Sequence, residues 1–142
     1  MGNLMWLPLA LPRWYIDGAT HPFAAGALTL LPAVGMVSLV LGVVLGALSR
    51  RSGLLWFVSL FVLSEALVAA AGLMRGQAAA GGSTLLNVGL WTFLGLQLAV
   101  SGYLIYRTKG ARLSAAALGL HSVTYAATAT FVAAMSFTDT WL

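Results

Sequence analysis

Four long apolar runs separated by short polar links dominate the hydropathy pattern of the chain. They cover about residues 23–48, 54–74, 84–106 and 114–136, and none contains a lysine or an arginine. Each is long enough to cross about 30 Å of hydrocarbon, which takes about 20 helical residues. Because the links are short, neighbouring helices must be antiparallel. The pattern predicts an all-α integral membrane protein in the form of a four-transmembrane-helix antiparallel bundle.

The segment before the first run, residues 1–22, is apolar as well, but prolines at positions 8, 12 and 22 interrupt it. A helix interior tolerates proline poorly, so the pattern argues against a fifth span. We expect Met5–Ile16 to lie in the membrane interface, with the rings of Trp6, Trp14 and Tyr15 among the lipid headgroups. The alternative is an arm that docks onto a partner subunit or plugs an outward cavity. Residues 23–142 then form the four-helix domain.

The composition supports a membrane protein and excludes several other classes. Hydrophobic residues make up 61% of the chain and charged residues only 7%, against roughly 25% charged in soluble proteins. There is no cysteine, which excludes a disulfide scaffold and a thiolate-bound metal or cluster. Neither a P-loop, a nucleotide fingerprint nor an HExxH motif is present, so the sequence indicates no catalytic residue of a soluble-type enzyme and no metal site.

The basic residues follow the topology of the chain. The first and third links contain five of the seven, namely Arg50, Arg51, Arg107, Lys109 and Arg112. Arg13 and Arg75 lie on the other side. Short loops rich in Lys and Arg stay in the cytoplasm, so both termini are predicted to face outward, into the periplasm if this is a bacterial inner-membrane protein. The net charge of +4 thus reflects topology and predicts no nucleic-acid partner.

Each predicted helix places a polar residue near the middle of the membrane. These candidates for ligand or proton binding are Ser38, Glu65, Gln97, His121 and Tyr125. Counted along each helix, they lie about 10 to 16 Å from its inner end. Polar groups at this depth usually face the protein interior or a cavity, so we expect them to form one layer.

Glu65 is the most informative of these residues because ionising a carboxyl group in hydrocarbon is costly. A neutral carboxyl at this depth can load and release a proton as water access changes, which suits a proton-coupled carrier. The alternative is a structural pin, a protonated glutamate that hydrogen-bonds Gln97 or His121 across the bundle. The sequence leaves both open.

His121 and Tyr125 lie one helical turn apart on one face. The imidazole could form an interhelical hydrogen bond, bind a quinone or relay a proton, or ligate a haem shared with another subunit. A haem held by two histidines of this chain is excluded, because His21 lies at the opposite membrane edge, roughly 20 Å away. The sequence itself requires no cofactor.

Small residues recur at four-residue spacing, which allows helices to approach closely. The predicted packing positions are Gly42 and Gly46, Gly95 and Ala99, and Ala126 and Thr130. The pattern does not distinguish packing within the chain from packing against another chain. Because four short helices cannot all hide their faces from the surroundings, we expect an oligomer or a host complex.

Three functions remain open. The first expectation is a non-catalytic accessory or assembly subunit of a larger respiratory, photosynthetic or transport complex in the membrane. The alternatives are a homo-oligomeric proton-coupled transporter or channel that uses Glu65, and a quinone- or haem-associated membrane anchor that uses His121 and Tyr125. The predicted partners are membrane lipids together with other membrane subunits or further copies of the chain.

Overall fold

The fold is an all-α bundle, as predicted. The computed structural model describes residues 7–20, 27–49, 52–74 and 83–138, and nearly all of them are helical. The helices are α1 (Leu7–Thr20), α2 (Ala27–Ser49), α3 (Trp56–Leu73), α4 (Ser83–Arg107) and α5 (Arg112–Thr138). A short 3-10 turn, Ser52–Leu55, leads into α3.

Helices α2 to α5 contain the membrane-spanning segments of an integral membrane protein. The stretches long and apolar enough to cross a bilayer are Leu30–Ser49, Gly53–Leu73, Thr84–Arg107 and Arg112–Phe137. They agree with the predicted spans to within a few residues, except that the first begins later. The predicted start of that span, at residue 23, lies outside the described residues.

Helix α5 is the centre of the bundle and packs against α1, α2, α3 and α4. Its contact faces consist largely of small side chains, and Ala115, Ala126, Ala129 and Ala133 are fully buried. Small side chains let the neighbouring helices come close, which is how helices associate where lipid supplies no hydrophobic drive. Helices α2 and α3 lie on either side of α5 without extensive contact with each other. A groove over α5 therefore separates them.

The glycine pair of α2 packs within the chain. A Cβ atom added at Gly42 would lie 2.7 Å from the Leu118 side chain of α5. The Ser114 hydroxyl donates a hydrogen bond of 2.7 Å to the Gly42 carbonyl. One turn further on, a Cβ at Gly46 would come within 3.1 Å of the Ser114 hydroxyl. These glycines thus set the close approach of α2 and α5.

Helix α1 packs on α2, α3 and α5 and fills the part of the groove next to the start of α2. Its Leu11 and Tyr15 are 0% and 2% exposed. Tyr15 approaches Gly35, whereas Gly18, further along α1, approaches Pro32, nearer the start of α2. The contacts step in opposite directions along the two helices, so α1 and α2 form an antiparallel hairpin.

The predicted position of Tyr15 among the lipid headgroups is therefore wrong. Pro12 does not prevent a helix here, because it lies early in α1 and deprives only a carbonyl of the first turn of its usual donor. Trp14 does remain exposed, at 43%. Trp6 and the proposed boundary at residue 22 lie outside the described residues.

Candidate functional site

Tyr15, Thr124 and His121 form a hydrogen-bonded cluster where α1, α2 and α5 meet. The Thr124 hydroxyl donates to the His121 carbonyl at 2.9 Å. Its single proton is thereby used, so in the 2.7 Å contact between Tyr15 and Thr124 the tyrosine donates. His121 Nδ1 lies 3.1 Å from the Gly35 carbonyl. A carbonyl can only accept, so Nδ1 carries a proton and Nε2 of the neutral ring is an acceptor.

Gly35 makes this cluster possible. A Cβ at this position would overlap both the Tyr15 hydroxyl and Thr124 Oγ1. The Tyr15 hydroxyl of α1 and Thr124 Oγ1 of α5 therefore meet directly against the backbone of α2. They occupy the space that a side chain at position 35 would fill.

Aromatic rings surround the cluster. Tyr15 meets Tyr125 edge-on with ring centroids 4.9 Å apart, and it meets His121 in the same way at 5.7 Å. Phe61 of α3 lies 4.5 Å from Tyr125. Edge-on and tilted pairs at these distances are favourable, so the rings hold the histidine and both tyrosines in fixed orientations.

Glu65 is paired with Tyr125, whose hydroxyl donates to Glu65 Oε1. The other carboxyl oxygen, Oε2, is buried and has no hydrogen-bond partner among the described residues. The pin hypothesis named Gln97 or His121 as the partner, and this was wrong. Glu65 follows Ser64 by about 100° around α3, which turns it away from α4 and toward Tyr125 of α5.

Gln97 instead connects α4 to α3. Its side-chain nitrogen donates to the Leu60 carbonyl at 3.2 Å and to Ser64 Oγ at 3.1 Å. The side chain is 1% exposed, and its carbonyl oxygen has no partner within the described chain. Together these bonds fix the register of α3 and α4.

Ser38 stays apart from both groups. It is buried, and its hydroxyl donates to the Val34 carbonyl of the same helix at 2.7 Å. The predicted polar layer thus divides into a cluster at Gly35 that extends through Tyr125 to Glu65, a separate pair of bonds at Gln97, and an isolated serine.

A cavity of about 590 Å³ extends from this cluster along the groove between α2 and α3. Its apolar walls come from Leu39, Gly42, Val43, Gly46, Leu54, Leu55, Phe57, Val58, Phe61 and Leu118. Among the described residues its polar lining consists of His121, Ser122 and Tyr125. The arrangement suits a lipophilic molecule with one polar end. Within the described residues no cluster of three or more acidic or histidine side chains could hold a metal ion.

The remaining predicted packing positions fall into two groups. Ala126 is fully buried in the bundle, and Thr130 is half-buried and donates to the Ala126 carbonyl at 2.8 Å. Gly95 and Ala99 of α4 are exposed, and a Cβ added at Gly95 would meet no described residue within 4 Å beyond its own turns of α4. This second stripe has no role within the bundle.

The site also includes Tyr15, Gly35 and Ser122, which the sequence pattern did not identify as site residues. A signal for Tyr15 was present, since Leu11, Tyr15 and Gly18 follow helical spacing on one side of α1. No comparable signal marks Gly35 or Ser122, which resemble the many other small residues of the chain.

Neither a known protein family, nor a curated protein, nor a solved structure matches this chain.

Proposed function

We propose that the protein is a non-catalytic subunit that packs against a helix of a larger membrane complex through the outward face of α4. The observation that carries this proposal is the stripe formed by Gly95, Ala99 and Gly102, all of them exposed. Gln97, which is buried against α3, lies on the opposite side of the helix.

The stripe stands out because the glycines that pack within the bundle are in close contact. Added Cβ atoms at Gly35, Gly42 and Gly119 would each collide with a neighbouring helix, whereas those at Gly95 and Gly102 would meet nothing within 4 Å. Glycine weakens a helix by about 1 kcal/mol relative to alanine. A groove on the helix surface does not improve packing against lipid, whereas the backbone of a second helix can pack closely into it.

The hydrogen bonds of the polar residues support a structural role for these side chains. Gln97 bonds α3, and Tyr125 bonds Glu65, so both hold helices of the same chain together. Because these polar residues are used for packing within the chain, we infer that a partner helix meets the outer faces of the bundle.

Extraction of the tagged protein from its own membrane in a mild polymer, followed by native mass spectrometry, tests the proposal. We expect the wild-type chain to emerge within a larger assembly. Gly95→Leu combined with Gly102→Leu fills the stripe and should reduce the recovered partner at least about tenfold, equivalent to 1.4 kcal/mol. Retention of the partner by this double variant would show that α4 does not dock through the stripe.

Gly89→Leu provides a matched control. Gly89 is on the same helix, is equally free of contacts, and lies about 120° around the axis from Gly95. It should keep the partner. Emergence of the wild type as a monomer or homo-oligomer would contradict the accessory role and favour the candidate described next.

The second candidate is a homo-oligomeric carrier that moves a proton through Glu65. It is favoured by the buried, unpartnered oxygen Glu65 Oε2 and by Tyr125, which joins Glu65 to the lining of the cavity. A carboxyl group with one satisfied oxygen keeps the second available to a proton or a ligand.

Labelling with dicyclohexylcarbodiimide, which modifies protonated carboxyl groups in apolar surroundings, separates a carrier from a pin. A carrier predicts labelling of Glu65 that falls as pH rises, and loss of proton-driven transport in Glu65→Gln. A pin predicts little labelling at any pH. The chain has only three acidic residues, so peptide mapping assigns the label directly.

A further inference from the structure

We propose that the cavity between α2 and α3 binds a neutral lipophile with a ring hydroxyl, such as a phenol or hydroquinone with a hydrocarbon tail. The site is a property of this chain alone, so the inference is independent of the docking role proposed for α4. It rests on the chemistry, depth and shape of the cavity's polar end.

The polar end pairs an acceptor with a hydroxyl. His121 Nδ1 donates to the Gly35 carbonyl, which leaves Nε2 as an acceptor on a ring that lines the cavity. The adjacent Ser122 also lines it, and its hydroxyl has no partner within the described part of the chain. A ligand hydroxyl can donate to Nε2 and accept from Ser122, and it thereby satisfies both groups.

The depth of this end excludes charged lipid headgroups. His121 is nine positions from Arg112, about 14 Å along α5 and thus near the middle of the membrane. A phospholipid would place its headgroup at the surface and the apolar end of its tail against His121. None of the described residues that line the cavity is a lysine or an arginine, so an anionic head such as a fatty-acid carboxylate would lack a counter-ion beside His121.

The shape of the polar end fits a flat ring. Aromatic side chains from α3 and α5 frame it, since Phe61, His121 and Tyr125 all line the cavity. Their rings are already held at centroid distances of 4.5 to 6.0 Å, so another ring can pack against them at little entropic cost. Beyond them the apolar walls continue toward Gly46 and Leu54, where a tail would lie. The volume of about 590 Å³ is typical of small-molecule sites.

The test is photolabelling of the purified full chain in phosphatidylcholine nanodiscs with an alkylphenol that carries a diazirine on its tail. The control probe is the methyl ether of the same molecule, which cannot donate a hydrogen bond. We expect the phenol to label cavity-lining residues at least about fivefold more than the ether does. Equal labelling would overturn the proposal, because it would show a groove that selects only for apolar chains.

Two pairs of variants locate the site. Val43 and Val44 are neighbours on α2 with 56% and 54% exposure, but only Val43 lines the cavity. Val43→Trp should abolish phenol-selective labelling, and Val44→Trp should not. Ser122→Ala removes the group that donates to the ligand oxygen and should reduce labelling by the phenol, whereas the exposed Ser59→Ala should leave it unchanged. Each variant is first checked for the wild-type elution volume and helical content. Phenol labelling that stays at the wild-type level in both Val43→Trp and Ser122→Ala would place the ligand elsewhere and overturn the assignment.

Discussion

Gly35 shows how strongly one missing side chain can constrain a membrane bundle. The Tyr15 hydroxyl, Thr124 Oγ1 and His121 Nδ1 all converge on this short stretch of α2 backbone. Two polar contacts bring the three helices together: Tyr15 to Thr124 joins α1 to α5, and His121 to the Gly35 carbonyl joins α5 to α2. The first of these contacts occupies the space that the glycine leaves.

We therefore expect Gly35→Ala to destabilise the bundle by about 1 to 3 kcal/mol through overpacking. The measurement is unfolding in mixed micelles with increasing sodium dodecyl sulfate, followed by circular dichroism. Gly89→Ala, at an open position, should be neutral or stabilising by up to about 1 kcal/mol. In a Tyr15→Phe background the cost of Gly35→Ala should fall, because the hydroxyl nearest the new methyl group has been removed. An undiminished cost would contradict this explanation.

At the residue scale the sequence identifies candidates but not their partners. The depth of Glu65 could be predicted from the helix rise, and the depths of Gln97 and His121 likewise. Which of them meet depends on the rotation of each helix about its axis, which a shared depth does not determine. Rotation by one residue, about 100°, decides that Glu65 contacts Tyr125 while Ser64 contacts Gln97.

At the scale of single elements, α1 is the least expected feature. Its buried side presents Leu11 and Tyr15 to the bundle. On the opposite side, Arg13 and Asp17 approach to 4.0 Å with side chains 84% and 64% exposed. An exposed pair of this kind contributes little to stability. The docking of α1 therefore depends on its buried stripe.

Leu11→Ala should release α1 from the bundle while the other helices stay folded. The expected loss is about 2 kcal/mol, near the low end for a buried leucine, since lipid or detergent rather than water replaces the lost contacts. Trypsin cleavage after Arg13, quantified by mass spectrometry, reports the release. Ile16→Ala is the matched control, because Ile16 is 49% exposed, and cleavage in that variant should stay at the wild-type rate. Equal cleavage of both variants would show that Leu11 does not hold α1.

The membrane-spanning helices were predictable because each depends on one simple quantity, the length of an apolar run against the thickness of hydrocarbon. Helix α1 was not, because its prolines and its charged side argue against a helix inside the bundle. A one-sided pattern was nevertheless present in Leu11, Tyr15 and Gly18. That spacing is typical of a helix with one buried side, and in α1 it outweighs the effect of the prolines.

At the scale of the whole molecule, the uneven distribution of basic residues predicts one orientation in the membrane. The chain contains no cysteine, so single cysteines can be introduced without background. Lys109→Cys, in the link between α4 and α5, should react with a membrane-impermeant maleimide only after the cells are permeabilised. Thr84→Cys, at the opposite end of α4, should react in intact cells. The reverse pattern would invert the predicted orientation.

The bond between Tyr15 and Thr124 joins residues 109 positions apart in the chain, and this separation has a consequence for biosynthesis. Helix α1 leaves the ribosome before α5, the helix that contains Thr124. At about 5 to 20 residues per second, roughly 5 to 20 s pass before Tyr15 can find its partner. Through that interval the Tyr15 hydroxyl lacks the Thr124 side chain to which it bonds in the folded bundle. Helix α1 can therefore make its full set of contacts only after α5, which is made well after it, has joined the bundle.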